Sequence, residues 1–559
     1  MDKIPNTLID YLELHAKQQP DAIYARYLFS DREPVDVSYL ETFERTRRFA
    51  AGFTARGVFK GAVVLVLLEH HEDLMPAFLG AMWAGGIPAF LPPPNPKIHT
   101  ERFYENLKTL IRTSRPGFVL CRPPVKEALE KAIPAGEYRP ALLLVDDVTT
   151  SGQSPRPVPH GQEDIALIQY SSGSTGLQKG AALSHRAILS EIAGVGWFFE
   201  ITKQDIIATW VPLYHDWGLV CVALHALTVG AAFILMSPID WVSRPVMAFE
   251  AVHRYRPTVF YQPNFAFNLM TQRIKDKEME GIDLSSVRLM CNGAEPCFRD
   301  SHATFARRFQ RWGFRPESLG IVYGMAEVTN SVIAAGHREP IRSDVIDRFA
   351  LQAELQAVPV AEGHRAAQWM LGVGRALEGT EFKIVDDSRR ELPERWVGEV
   401  AIRSRASFSG YYLNPSATAA VLDSDGWYFS GDMGYRVGDV LFITGRKSDM
   451  IIVGGVNIYP QDIETIVAEH PMAVAGRIAA IGVDDTELGT QKILVLVESR
   501  SQDSAVLADI STFIRTEVAQ RLNVIVNQIV HVPERWLIKT SSGKIARIPN
   551  YRRLAELEK

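Results

Sequence analysis

Seven of the eleven residues in 170-YSSGSTGLQKG-180 are Ser, Thr or Gly, and a lysine stands one place from its end. The run follows the apolar stretch 165-IALIQY-170, so a strand feeds a small-residue, hydroxyl-rich loop. Small residues such as Gly173 and Gly176 let backbone N–H groups approach phosphate oxygens, the hydroxyls of Ser171, Ser172, Ser174 and Thr175 donate as well, and Lys179 adds a positive charge. The order G-x-x-x-x-G-K-[ST] is not met around Lys179, which removes support for Walker-type kinases. Taken alone, the same composition also describes a solvated linker. A second pair, His215 and Asp216 in 212-PLYHDWGL-219, invites a metal reading, yet no further His/Asp cluster at ligand spacing lies nearby in sequence.

Such residues need elements to hold them. The apolar runs 62-AVVLVLL-68, 117-GFVLC-121, 142-LLLVDD-147, 232-AFILM-236 and 258-TVFY-261 alternate with longer helical stretches. That alternation predicts an α/β fold, with parallel or mixed β-sheets flanked by helices. Helices are expected over 39–57 and 298–313, each closed by a glycine, Gly57 and Gly313. A chain of 559 residues exceeds what one core supports, which is roughly 250 to 300 residues. The turn 445-GRKSD-449 follows the strand 440-VLFIT-444, and the stretch after it is long enough for a small α+β domain. The expected division is therefore 1–445, a hinge at 446–449, and a C-terminal lid domain at 450–559. The stretch 151-SGQSPRPVPHGQ-162 reads as a loop.

A formal net charge of -5 leaves no broad cationic surface, so nucleic acid is not an expected partner. Cys121, Cys221, Cys291 and Cys297 form no C-x-x-C pair, which fits a reducing cytoplasm. The first twenty residues read as a helix and not as a signal peptide. Gly218 to Ile239 carries no Asp, Glu, Lys or Arg and is about long enough to cross a bilayer at roughly 20 residues. Its His225, Gly230 and Pro238 favour a buried helix followed by a strand, so no membrane span is expected.

S-S-G-S-T-G-x-x-K-G resembles the phosphate loop of the adenylate-forming superfamily, which includes acyl-CoA synthetases, luciferases and peptide-synthetase adenylation domains. Gln178 replaces the usual proline, and further family motifs follow in order along essentially the whole chain. The resemblance implies ATP and Mg2+, and it assigns roles to particular residues. In 323-YGMAE-327, Tyr323 would stack on adenine, Gly324, Met325 and Ala326 would line the nucleotide site, and Glu327 would hold magnesium together with Thr175. In 292-NGAEP-296, Gly293, Ala294 and Glu295 would line the adenine site mainly through backbone. Asp432 of 427-WYFSGDMG-434 would bind the ribose hydroxyls, with Arg446 facing ribose and phosphate. His215 would orient the acid's carboxylate beside a pocket shaped by Trp210, Trp217 and Gly218. Lys544 of 539-KTSSGKIAR-547 would enter from the small domain. Carboxylate attack on the α-phosphorus brings two anions together, so a cation that holds both lowers the barrier.

Within that superfamily the chain is most similar to the fatty acyl-AMP ligases, through Y-H-D-x-G-L at 214–219, P-N-F-A-F at 263–267, N-G-A-E-P at 292–296 and P-P-P-x-P at 92–96. These enzymes transfer the acyl group to the phosphopantetheine of an acyl carrier protein, expected here to be a separate chain. Acyl-CoA or aryl-CoA synthetase is the alternative, and a non-catalytic adenylate-binding protein is disfavoured by Lys544, Glu327 and Asp432. An insertion typical of the subfamily is expected at about 338–370, with Ile346, Phe349, Leu351, Leu355 and Val358 burying a face against the large domain. Two residues depart from the usual pattern: Ser448 in the hinge where relatives carry Asp or Lys, and Trp217 where Met is common, a larger ring that would shorten or reshape the acid pocket.

Overall fold

Wholly apolar runs become strands buried on both faces, because helices cover each side of the sheets they build. Val63–Leu67 is such a strand, with every residue buried. The computed structural model describes residues 5–94, 100–133, 136–149, 155–170, 179–337, 339–453, 456–485, 490–540 and 544–557. In its largest sheet Ile23–Leu28, Ala232–Met236, Ile206–Thr209, Val259–Tyr261, Leu289–Asn292 and Leu319–Tyr323 lie side by side and parallel. Beyond Leu319–Tyr323 the sheet turns antiparallel, through Ile333–Gly336, Ala367–Ala376, Val440–Arg446, Tyr428–Val437, Gly398–Ser404 and Thr380–Val385. A second, parallel sheet joins Ile87–Phe90, Val63–Leu67, Phe118–Cys121 and Ala141–Leu144. The α/β expectation holds, with the sheet mixed.

Alternation along the central strands divides the interior. Val259, Tyr261, Leu289 and Cys291 face the cluster that contains Trp217, whereas Phe260 and Met290 face the one that contains Trp210 and Trp241. The helices end where their glycines permit: Tyr39–Ala55 starts on Ser38, whose Oγ accepts from Glu41 N at 3.1 Å, and stops before Gly57 at φ 84°. Arg299–Phe309 runs through a short turn to Gly313 at φ 89°. The charge-free stretch is a helix of three continuous pieces, Asp216–Gly218, Leu219–Leu224 with π-type bonding and His225–Val229, followed by the strand Ala232–Met236. Among the described residues no helix is long and apolar enough to cross a membrane.

After Val440–Arg446 the chain leaves the large sheet. A ribbon of Ile451–Val453 and Val456–Ile458 precedes a sheet of Ala473–Asp485, Thr490–Ser499 and Val526–Val532, packed by the helices Pro460–Ala468 and Ser504–Leu522. Ile463, Val467, Val495, Ile514 and Val518 give this C-terminal subdomain its own core. The connecting turn is pinned at both ends. Lys447 N donates to Gly431 O at 2.9 Å, and Arg547 binds Asp449 at 2.7 Å and Glu464 at 2.8 Å.

Residues 339–370 are ordered as a strand, Ser343–Asp347, a helix, Arg348–Glu354, and the start of Ala367–Ala376, with which the first strand pairs. Ile346 and Leu351 are fully buried and pack with Met433, Tyr435 and Phe442 of the large sheet and Tyr459 of the C-terminal subdomain. Leu355 and Val358 are partly buried, while Phe349, expected to be covered, is 38% exposed. The segment therefore touches both parts of the chain: Arg348 donates to Arg521 O at 2.5 Å, and Asn457 Nδ2 donates to Gln352 O at 3.2 Å.

Candidate functional site

Lys544 lies in the turn before the helix Arg547–Leu557, and its backbone N–H donates to Thr540 Oγ1 at 3.2 Å. Its ammonium interacts with Arg446, Glu295, Asp432 and Asp216, all of the large domain. Loss of hydration among surrounding protein atoms and repulsion from Arg446 lower its pKa, opposed by the three carboxylates. The side chain nevertheless keeps solvent-accessible surface, so it stands in an open cleft and not in a packed core.

Asp432 is buried and has both oxygens engaged: Arg446 Nε donates to Oδ1 at 2.9 Å and Tyr323 OH to Oδ2 at 2.9 Å. The antiparallel register sets Asp432 directly opposite Arg446, so the pair follows from the strand pairing. Asp432 holds Arg446 firmly protonated, and burial with the same carboxylate pushes Tyr323 upward. Glu327 sits on the single turn Ala326–Val328, where its buried carboxylate accepts from Tyr411 OH at 2.6 Å. Burial raises its pKa, and the Tyr411 bond opposes that rise. The Tyr411 ring also lies 5.0 Å from Lys179 Nζ, so one tyrosine spans the lysine of the hydroxyl-rich loop and the Glu327 turn.

The backbone here is strained in two places. Ala294 and Thr329 adopt φ of 63° and 70°, a region that costs side-chain-bearing residues on the order of 1 kcal/mol each. Gly324 is required by space, since a Cβ there would fall 1.6 Å from Asn330 O.

On the other wall, His215 Nδ1 lies 2.6 Å from Asp216 Oδ1, and Trp217 N–H donates to that same oxygen at 2.8 Å. Burial would raise the Asp216 pKa, but His215, the Trp217 N–H and Lys544 together bring it below the usual range. Gly218 admits no side chain, because a Cβ would meet Val211 O and Pro212 O at 2.5 Å. The turn therefore presents His215 at the head of its helix with Trp217 directed inward. Trp217 meets Tyr261 edge-on at 5.7 Å. Trp210 is not beside it: it stacks on Trp241 at 3.8 Å in the other cluster, so the structure separates two residues expected to shape one pocket.

Beneath this wall is a buried polar cluster that the sequence did not reveal. Glu191 Oε1 accepts from Ser331 N at 3.1 Å and from the Cys221 thiol at 3.3 Å, and Cys221 also reaches Asn330 Oδ1 at 3.1 Å. Glu191 Oε2 is buried without a partner. Burial pushes the Glu191 pKa up to about 8, against the two donors and with help from Asp216. The cluster ties the helix His185–Phe198 to the loop that carries Glu327.

The structure thus gathers Lys544, His215, Glu295, Glu327, Tyr323, Asp432 and Arg446 at one cleft, with Gly293, Ala294, Met325 and Ala326 in the loops beside them. Ser171, Ser172, Gly173, Ser174, Thr175 and Gly176 lie outside the described residues; the strands on either side of them pair Tyr170 with Gly180. The profile of AMP-binding enzymes matches residues 12–412. The chain belongs to the AMP-binding enzyme family. Among curated relatives, a medium-chain-fatty-acid–[acyl-carrier-protein] ligase, JamA of Moorena producens, is 29% identical over 97% of this chain and 94% of its own length. A solved structure from work on fatty acyl-adenylate ligases of E. coli and L. pneumophila superposes with a TM-score of 0.90, covering 99% of this chain and 98% of that one at 24% identity, which establishes the fold alone. A fatty acyl-adenylate ligase of L. pneumophila in complex with acyl adenylate and pyrophosphate is 26% identical, with a TM-score of 0.75 and coverage of 99% and 97%. Tyr411 and Glu191 take part in this family member's cleft or its support without having been singled out, and Asp216 had been marked only as the neighbour of His215 in a metal reading. Only Asp216, beside His215, carried a visible sequence signal.

Proposed function

We propose that this enzyme activates a fatty acid with ATP to give acyl-AMP and pyrophosphate, then passes the acyl group to the phosphopantetheine thiol of a separate acyl carrier protein. One observation carries the first half: a lysine from the C-terminal subdomain stands among Asp216, Glu295, Asp432 and Arg446 of the large domain. A carboxylate oxygen attacks the α-phosphorus as the bond to the bridging oxygen breaks and pyrophosphate leaves. Lys544 would hold the incoming carboxylate and that bridging oxygen together, inside protein that strengthens its field. Asp432 accepts the ribose hydroxyls once they displace Tyr323 or share its oxygen, with Arg446 directed to the phosphate. His215, oriented by Asp216, leaves Nε2 for the acid's carboxylate.

Among the described residues no group of three or more His, Cys, Asp or Glu could hold a metal unaided. Glu327 offers one buried oxygen ligand, which fits a hard cation that would take its remaining ligands from triphosphate oxygens, water and the Thr175 hydroxyl. Bound there, Mg2+ would neutralise the charge of the departing pyrophosphate.

One face of the small domain would not serve both adenylation and transfer of the acyl group to a carrier thiol, so a rotation at 446–449 would separate the two steps. A cytoplasmic location agrees with all four cysteines being free thiols. The acyl-CoA synthetase reading differs in a single product. Enzyme supplied with ATP, an acid and CoA should yield acyl-AMP, and acyl thioester should form only when a phosphopantetheinylated carrier is added. Abundant acyl-CoA on chromatography would refute the ligase reading and establish the synthetase.

A further inference from the structure

Asn292 and Glu295 bracket Gly293 and Ala294, and both are tied to the first turn of one helix, Asn264–Arg273. Pro263 stands at the N-terminal cap of that helix and offers no side-chain acceptor to its first turn. Glu295 supplies one from another segment, its Oε1 accepting from Phe265 N–H at 2.6 Å. On the other side of the loop, Asn292 Nδ2 donates to Asn264 Oδ1 at 3.0 Å, and the same oxygen accepts from Phe298 N–H at 3.2 Å. The Phe298 N–H can only donate, so the Asn264 atom is its oxygen and the Asn292 atom facing it is the amide nitrogen. That nitrogen also lies 2.8 Å from His302 Nε2, so the imidazole accepts there and carries its proton on Nδ1. Asn264 Nδ2 in turn donates to Ser301 Oγ at 3.2 Å. Asn264, Asn292, Ser301 and His302 are all buried, which places the network behind the loop and away from solvent.

We infer that Asn264 is a positioning residue for the nucleotide: by holding Asn292, while the adjoining Phe265 N–H holds Glu295, it fixes the Gly293–Ala294 backbone that is to line the adenine site, an inference that rests on the adenylation reading above. Ala294 sits at φ 63°, a conformation that a residue with a side chain keeps only where its surroundings over-determine it. The strand Leu319–Tyr323 closes the back of the loop, since a Cβ on Gly293 would fall 2.8 Å from Val322 O. Deleting the Asn264 amide leaves the Phe298 N–H and one Asn292 hydrogen buried without an acceptor, and the loop loses the tie that holds Ala294 in place. Adenine is remote from the reacting phosphorus, so the loss should fall on ATP affinity and recognition of the base, and not on kcat or the acid.

The test is ATP–pyrophosphate exchange with octanoate, dodecanoate and hexadecanoate, together with calorimetric titration of ATP and GTP, on the wild type, Asn264→Ala, Asn264→Asp and His302→Leu. Asn264→Ala should raise KM and Kd for ATP about tenfold and narrow the preference for ATP over GTP by a similar factor, with kcat and fatty acid KM within about twofold. Asn264→Asp keeps an oxygen for Phe298 N–H and Asn292 and can accept from the Ser301 hydroxyl, so it should restore most of the ATP affinity. His302→Leu takes a single acceptor from Asn292 and should weaken ATP binding by a smaller factor, which keeps the inference open to refutation should Asn264→Ala fail to fold. A general folding defect would lower the active fraction without changing either constant or the preference between bases. An unchanged ATP Kd in whichever of these two variants folds, or equal losses for ATP and fatty acid, would overturn the inference while leaving adenylation standing. No exchange by the wild type with any of the three acids would overturn the adenylation reading, and the ATP Kd values would still decide the role of Asn264.

Discussion

Glu191 makes a prediction whose size follows from its surroundings. Its carboxyl is fully buried, one oxygen bonded by Ser331 N–H and the Cys221 thiol, the other bare, and its pKa is pushed up to about 8 from 4.5. Between pH 4.5 and pH 7 the unfolded chain releases this proton and the folded chain keeps it, so the folded state loses stability as pH rises. At about 1.4 kcal/mol per pH unit, the loss reaches about 3 kcal/mol at pH 7 and stops growing once the folded carboxyl ionises near pH 8. A glutamine amide in its place would keep an acceptor for Ser331 and never titrate. Glu191→Gln should therefore stabilise the large domain at pH 7 by up to about 3 kcal/mol, with little difference at pH 4.5. Urea unfolding followed by tryptophan fluorescence at both pH values measures this, with the denaturant slope checked for constancy. A variant that is less stable at pH 7, or a difference independent of pH, would mean that Glu191 is charged in the folded protein and that the argument is wrong.

Lys544→Ala should lower pyrophosphate exchange by about 100-fold, the scale of one preorganised charge-stabilising donor, and near-normal exchange in the folded variant would remove Lys544 from the mechanism. Tyr411→Phe deletes the hydroxyl on Glu327, and it should weaken the Mg2+ dependence of exchange severalfold in apparent affinity while fatty acid KM stays unchanged. Ser448→Pro should spare adenylation and slow transfer to the carrier in single-turnover assays, whereas equal loss in both would indicate misfolding. Removing the whole segment near 338–370 would expose the core around Ile346 and Leu351. Arg348→Ala with Asn457→Ala instead releases its two polar ties to the C-terminal subdomain and should yield measurable, weak acyl-CoA synthesis by chromatography.

Local chemistry explains which parts were legible from sequence. Runs such as 62–68 and 258–261 read as strands because a strand buried on both faces needs no partner information to look apolar. Gly57 and Gly313 marked helix ends because a left-handed residue is required at the place where each helix stops. Trp210 and Trp217 read alike in sequence, and only the pleat of Val259–Tyr261 and Leu289–Asn292 assigns them to different interiors. Tyr411 and Glu327 are 84 residues apart, and Glu191 and Ser331 are 140 apart, distances over which no periodic pattern carries a signal. Lys544 became legible only through its resemblance to a known motif, since a basic residue near a chain end is ordinarily solvated.

The paired carboxylates on Arg547 would limit how the C-terminal subdomain swings in the proposed rotation. Asp449, at the end of the connecting turn, is already clamped to the same guanidinium that grips Glu464 inside the subdomain, and Arg547 lies three residues past Lys544. In the rotation proposed above, the side chain of Asp449 would travel with the C-terminal subdomain. Arg446 is fixed on the stationary side by its ladder partner Asp432, and Lys447 by Gly431. In the proposed rotation the change of torsion would fall on the turn around Ser448, where the Asp449 and Met450 N–H groups that now donate to Arg446 O at 3.1 Å would have to let go, and Lys544 would be carried on the subdomain as a lever arm.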